Sequence, residues 1–177
     1  MTCIVGLVHD GKVYMGGDSA GVGGYDLHIR ADEKVFTNGD FIMGFTSSFR
    51  MGQLLRYKFK PPYHMPGIPI DEYMVTTFVD EVRKCLKEGG FARSDNGEES
   101  GGKFLVGYRG ELFYIDSDYQ VGRLADGFAA AGCGDQIAHG ALYATNGKPP
   151  EERINTALEA AERFSAGVRG PFVIKSL

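Results

Sequence analysis

The chain contains no tryptophan, and its three cysteines, Cys3, Cys85 and Cys133, form an odd and widely spaced set. That spacing excludes a disulfide framework and a Cys-rich zinc pattern, so reduced thiols in a cytoplasmic protein are expected. No apolar run approaches the roughly 20 residues that span a bilayer. The N-terminus also lacks the basic start and long apolar stretch of a signal peptide, and no membrane association is expected. The net charge is −4, and no stripe of Lys or Arg is long enough for a nucleic-acid footprint. The basic fragment RYKFKPP reads as a solvated loop edge. His9, His28, His64 and His139 have no metal-ligand spacing. GCGDQ lacks the third Gly of the dinucleotide fingerprint and the Gly-Lys-Ser/Thr of a P-loop. No Gly-x-Ser-x-Gly elbow occurs. Neither a metal nor an organic cofactor is expected.

What is present is apolar strand and tight turn. Of 177 residues, 43% are apolar and 26 are Gly, enough for one domain over 1–177 that buries roughly 70% of its unfolded surface. CIVGLV and VYMGGD flank Asp10-Gly11, a short-range hairpin signal. Asn38-Gly39 and Arg109-Gly110 repeat the pattern, while FAAAGCG and PFVIKSL read as further buried strands. Asp116 and Asp118, at a hairpin end, read as solvated. Helical patterns fall between the strands. One starts at a Ser cap in SSFRMGQLLRYKF. PIDEYMVTTFVDEVRKCLKEGG has acids early, bases late and Gly after its end. GDQIAHGALYATNG and PPEERINTALEAAERFS form a pair, the second opening on Pro. KPPYHMPGIP and ARSDNGEESGGK read as irregular, the latter as mobile. Antiparallel strand groups alternating with helix pairs predict an α+β fold. It would be a four-layer αββα sandwich, two stacked sheets with a helix pair outside each.

The chemistry points to the N-terminus. Removal of Met1, which a small second residue permits, would leave Thr2 with a free α-amine and a β-hydroxyl. An α-amine has an intrinsic pKa of about 7.7–8.0, against about 10.4 for Lys. It is substantially neutral near pH 7 and can take the hydroxyl proton, a known nucleophile–base pairing.

From Thr2 onward the chain resembles the proteasome β-subunit/HslV family of N-terminal nucleophile hydrolases. TCIVGLVHDGKVYMGGDSA is similar to the family's opening hairpin, and EKVF to the segment that carries its active-site Lys. MGFTSS resembles the family's next loop, AAGCGDQIAHGAL the Gly-Ser-Gly strand-to-helix turn, and ERFSAGVRGPFVI the late acidic segment and final strand. The resemblance implies Thr2 as nucleophile, with Lys34 beside it as a cation and Asp18 orienting Lys34. It further implies an oxyanion donor in the backbone N–H of Ser47 and a specificity pocket near Phe45 and Thr46. Cys133 stands where the family has a supporting Ser, and Glu162 and Ser165 match its late acid and Ser. The chain departs from the family at Cys133 for Ser, Glu162 for Asp, Ser47 for Gly and Ala166 for Gly. The implied activity is threonine-dependent peptide hydrolysis inside a homo-oligomeric ring fed with polypeptide by an AAA+ ATPase. Two other readings stay open: an unprocessed, non-catalytic ring or scaffold subunit, and an amide ligase or transpeptidase.

Overall fold

A computed structural model describes all residues from 1 to 177. In chain order the first strands are β1 (Cys3–His9), β2 (Lys12–Gly17), β3 (Ala20–Gly23), β4 (Asp26–Ile29), β5 (Val35–Asn38) and β6 (Phe41–Phe45). Helix α1 (Phe49–Gln53) runs on into a π-helical stretch, Leu54–Lys58. A second helix is built from α2 (Ile70–Tyr73), a π-helical stretch Met74–Phe78 and α3 (Val79–Glu88). Then come β7 (Arg93–Asp95), β8 (Glu98–Ser100), β9 (Phe104–Tyr108), β10 (Glu111–Ile115), β11 (Val121–Gly122) and β12 (Phe128–Gly132). The chain closes with α4 (Asp135–Ala144), α5 (Pro150–Phe164) and β13 (Val173–Ser176).

Two sheets carry the core. One has the order β12-β1-β2-β13 and the other β11-β10-β9-β6-β5, and every strand pair is antiparallel. β1 is apolar from Cys3 to Val8 because both of its faces are covered there. Cys3, Val5 and Leu7 point into a cluster under α4 and α5, while Ile4 points the other way, between the sheets. β6 behaves alike: Phe41, Met43 and Phe45 face the helices of the first half of the chain, and Ile42 faces the opposite sheet. Three separate apolar clusters result, one between the sheets and one under each helix layer. The architecture is therefore the expected αββα sandwich of α+β class. Gly44 lets the sheets close up, since a Cβ there would lie 2.5 Å from Ile4 and 2.7 Å from Met15 Sδ.

Local chemistry sets the connections. Asp10-Gly11 and Arg109-Gly110 take positive φ at both positions, as two-residue hairpin turns of the favoured twist require. Ser48 caps α1 by accepting from the Arg50 N–H, and Pro150 opens α5 where its missing N–H matters least.

Two segments differ from the sequence reading. ARSDNGEESGGK is not irregular, because β7 and β8 pair across an Asn96-Gly97 turn with φ of 48° and 87°. Glu99 then ties this hairpin to α3 through Arg83 (3.1 Å) and Lys87 (2.7 Å). A second hairpin, β3–β4, was not expected at all. It forms an arm that leaves Tyr25, Leu27 and Ile29 exposed.

Candidate active site

The site forms where β1 starts and β2 and β6 end. Thr2 is only 5% exposed, held by the register that sets Cys3 opposite Gly132 of β12. Asp18 directly follows β2, and Lys34 directly precedes β5. These positions bring three sequence-distant side chains together. Lys34 Nζ donates to Thr2 Oγ1 at 2.9 Å and to Asp18 Oδ1 at 2.8 Å. The ion pair is dry, with side-chain exposures of 1% for Lys34 and 0% for Asp18. Burial pushes the Lys34 ammonium below the ordinary lysine range, and the Asp18 charge and hydrogen bond oppose that shift.

Asp18 is saturated with donors. Besides Lys34, its Oδ1 accepts from the Cys3 N–H at 3.0 Å. Its Oδ2 accepts from the N–H groups of Ala20 at 3.0 Å and Arg169 at 3.3 Å. A carboxylate so bound cannot rotate, and it fixes Lys34 in turn.

The second cluster surrounds Cys133. The Thr2 N–H donates to Cys133 Sγ at 3.3 Å, the thiol donates back to the Thr2 carbonyl at 3.4 Å, and Ser165 Oγ donates to the sulfur at 3.3 Å. Thr2 Oγ1 also donates to the Met1 carbonyl. Cys3 lies close by but is buried, and desolvation, with the Asp18 charge second, pushes its thiol far up, so it is inert.

Ser47 has a φ of 62°, and its hydroxyl accepts from the Lys103 N–H at 3.1 Å. Its own N–H has no hydrogen-bond partner. Phe45, Thr46 and Ser47 line the same small cavity as Thr2.

Glu162 is not brought against Thr2 or Cys133. It accepts from the Gly170 N–H at 2.9 Å, and so anchors the loop whose Arg169 N–H reaches Asp18. Asp116 and Asp118 do not pair either. Asp116 meets Lys103 at 3.1 Å and Asp118 accepts from the Gln120 N–H.

Sequence reading passed over Arg169, Val22, Phe49 and Gly132. Gly132 has a φ of 111°, and a Cβ there would sit 2.1 Å from the Thr2 carbonyl oxygen. The Gly-Cys-Gly triplet was the available signal. Gly132→Ala is expected to destabilise the fold by about 1–3 kcal/mol, through backbone strain and displacement of Thr2. A shift of the urea midpoint checks this.

No family profile matches the chain, and no curated protein matches it by sequence. Solved structures do match. Thiobacillus denitrificans BPH superposes with a TM-score of 0.82 at 20% identity, covering 99% of this chain and 97% of that one. The same protein in complex with epoxomicin gives 0.82 and 20%, with 99% and 98% covered. HslV from Trypanosoma brucei gives 0.69 at 21% identity, with 99% of each chain covered. With its two antiparallel sheets between helix layers, the chain has the proteasome/HslV-like fold.

Proposed function

We propose that the chain is a threonine-type endopeptidase whose nucleophile is Thr2 once Met1 has been removed. The observation that carries this reading is the Lys34 Nζ–Thr2 Oγ1 contact of 2.9 Å, backed by a fully buried Asp18. The existence of a BPH complex with epoxomicin adds support from a protein of the same fold.

In this reading, loss of Met1 turns the Thr2 nitrogen from an amide into an amine and frees Oγ1 from the Met1 carbonyl. The amine takes the hydroxyl proton as Oγ1 attacks a peptide carbonyl. Lys34 stabilises the alkoxide as it forms and favours the neutral amine. The unpartnered Ser47 N–H receives the oxyanion. Collapse returns the proton to the leaving amine and leaves an ester on Thr2, which water activated by the same amine hydrolyses. Cys133 and Ser165 orient the Thr2 backbone. Ring assembly in the cytoplasm, and feeding by an AAA+ ATPase, are part of the proposal. The exposed apolar side chains of the β3–β4 arm support self-association.

The test uses protein isolated from its native host. Intact mass should show a chain lacking Met1, and epoxomicin should add its mass to the peptide that begins at Thr2. A retained Met1 with no modification would favour the scaffold reading instead.

The pH profile should be bell-shaped. Activity rises with pH as the Thr2 amine loses its proton, from an intrinsic value of about 7.7–8.0. It falls again as Lys34 loses its charge. Because burial lowers Lys34, that fall should come below the ordinary lysine value of 10.5. Measuring kcat/KM across pH locates both limbs. An alkaline limb at or above the ordinary lysine value would contradict the role given to Lys34.

A further inference from the structure

Glu98 and Glu99 of β8, Asp80 and Arg83 of α3, and Asp118 and Tyr119 of the turn after β10 line an open groove of about 570 Å³. Neither Met1 nor Thr2 borders it, so its shape does not depend on processing. Its charges do not balance. Arg83 is shared by Asp80 at 2.9 Å and Glu99 at 3.1 Å, and Glu99 also holds Lys87 at 2.7 Å. Glu98 and Asp118 meet no cation, and Asp118 accepts only from the Gln120 N–H at 3.0 Å. Tyr119 is 7% exposed, and its hydroxyl, which senses the charges of Glu99 and Arg83, has no hydrogen-bond partner. A buried hydroxyl without a partner costs free energy that a polar ligand can recover.

The groove lies at the catalytic end of the sandwich. Gly101, directly after β8, donates its N–H to the Ser117 carbonyl at 2.8 Å, which ties the hairpin to the turn that carries Asp118. Two residues further on, the Lys103 N–H reaches Ser47 Oγ at 3.1 Å. Extended chain spans at most about 3.6 Å per residue, so the stretch from Glu99 to Lys103 places the groove within roughly 15 Å of Ser47.

We propose that this groove binds a lysine or arginine side chain of the polypeptide substrate, about four to six residues from the cleaved bond. The inference rests on the hydrolase reading above and names which polypeptides the site prefers. Charge selects the ligand. An ammonium or guanidinium entering the groove gains Glu98 and Asp118 as counter-ions and can donate to the Tyr119 hydroxyl, whereas a carboxylate is repelled. No three acidic, His or Cys side chains converge closely enough to hold a metal ion, which points to an organic cation. Glu98 and Asp118 are exposed, so each contact has the modest strength of a surface ion pair and is screened by salt. A contact this far from the reacting atoms is made alike in the ground and transition states, so it acts on KM and not on kcat.

The experiment uses the processed full chain and fluorogenic peptides that are alike around the cleaved bond. Each carries one Lys, or Gln in its place, at a set distance on either side of that bond. A Lys about four to six residues away should lower KM about threefold to tenfold at low ionic strength, with kcat unchanged. At about 1 M salt, where the Debye length is about 3 Å, the difference should vanish. Glu98→Gln combined with Asp118→Asn should abolish the Lys preference and leave the kinetics on the Gln peptide as in wild type. Asp95→Asn, in the same hairpin but outside the groove, should leave the preference intact. Fluorescence anisotropy with Thr2→Ala, which cannot cleave, reads the groove apart from the chemistry. Equal KM for Lys and Gln peptides in an enzyme that hydrolyses both, or a preference that survives the double variant, overturns the groove assignment alone. If wild type hydrolyses neither peptide while Thr2→Ala still binds the Lys peptide more tightly, the hydrolase reading alone falls. No hydrolysis and no Lys-dependent binding overturns both.

Discussion

Thr2→Ala is expected to lower peptide hydrolysis by about 10³-fold or more. The variant keeps the α-amine and Lys34, and loses the attacking hydroxyl together with the γ-methyl. It should fold normally. Lys34 retains its 2.8 Å pairing with Asp18, and the strand register around Cys3 involves backbone alone. Thr2→Ser, which keeps the hydroxyl, should remain measurably active. Rates on fluorogenic peptides, with intact mass showing the same N-terminus in all three proteins, decide the matter. Equal rates for wild type and Thr2→Ala would sink the proposed mechanism.

Asp18→Asn should have the largest effect on stability, about 3–5 kcal/mol. Four donors converge on the Asp18 carboxylate: Lys34 Nζ and the N–H groups of Cys3, Ala20 and Arg169. An amide offers one acceptor oxygen and turns an NH₂ group toward the others. It also leaves the Lys34 charge buried without compensation. Lys34→Met should be milder, because the carboxylate keeps its three backbone donors. The two variants therefore separate in denaturant midpoint, Asp18→Asn unfolding first. Both should lose activity, Lys34→Met by about 10²–10³-fold, as expected when one preorganised electrostatic contact is removed. Asp18→Asn proving as stable as wild type would show that the ion pair contributes little to the fold.

Much of the architecture was legible because it rests on local rules. Asp10-Gly11 announced its hairpin, and the unbroken apolar run of β1 announced a strand covered on both faces. Pro150 announced the start of α5. The β3–β4 arm was not legible: Asp26-Leu27-His28-Ile29 does alternate polar and apolar residues, but over four positions only, and no apolar run precedes it to suggest a partner strand. The β7–β8 hairpin was hidden by polar composition, although Asn96-Gly97 carried the same turn signal as Asp10-Gly11. The site divides likewise. The spacing of Thr2, Asp18 and Lys34 could be matched to a known pattern, and the structure brings those three side chains into contact. The Cys133 contacts span 131 residues, and the turn of Glu162 toward Gly170 depends on how the loop after α5 lies. Neither is written in any local window. Phe49 reads in the sequence as one more apolar residue at the start of a helix, and only its position beside the Arg30 and Lys34 cations marks it out.

The Arg169 N–H that completes the shell of Asp18 lies 151 residues beyond it. During synthesis, Thr2, Asp18 and Lys34 all leave the ribosome early, yet the carboxylate that organises them lacks a donor until the loop after α5 has been made and docked. Under the proposed chemistry, a nascent chain carries its nucleophile long before that nucleophile is properly held. In that reading, the order of translation would delay competence until the surrounding fold is nearly whole.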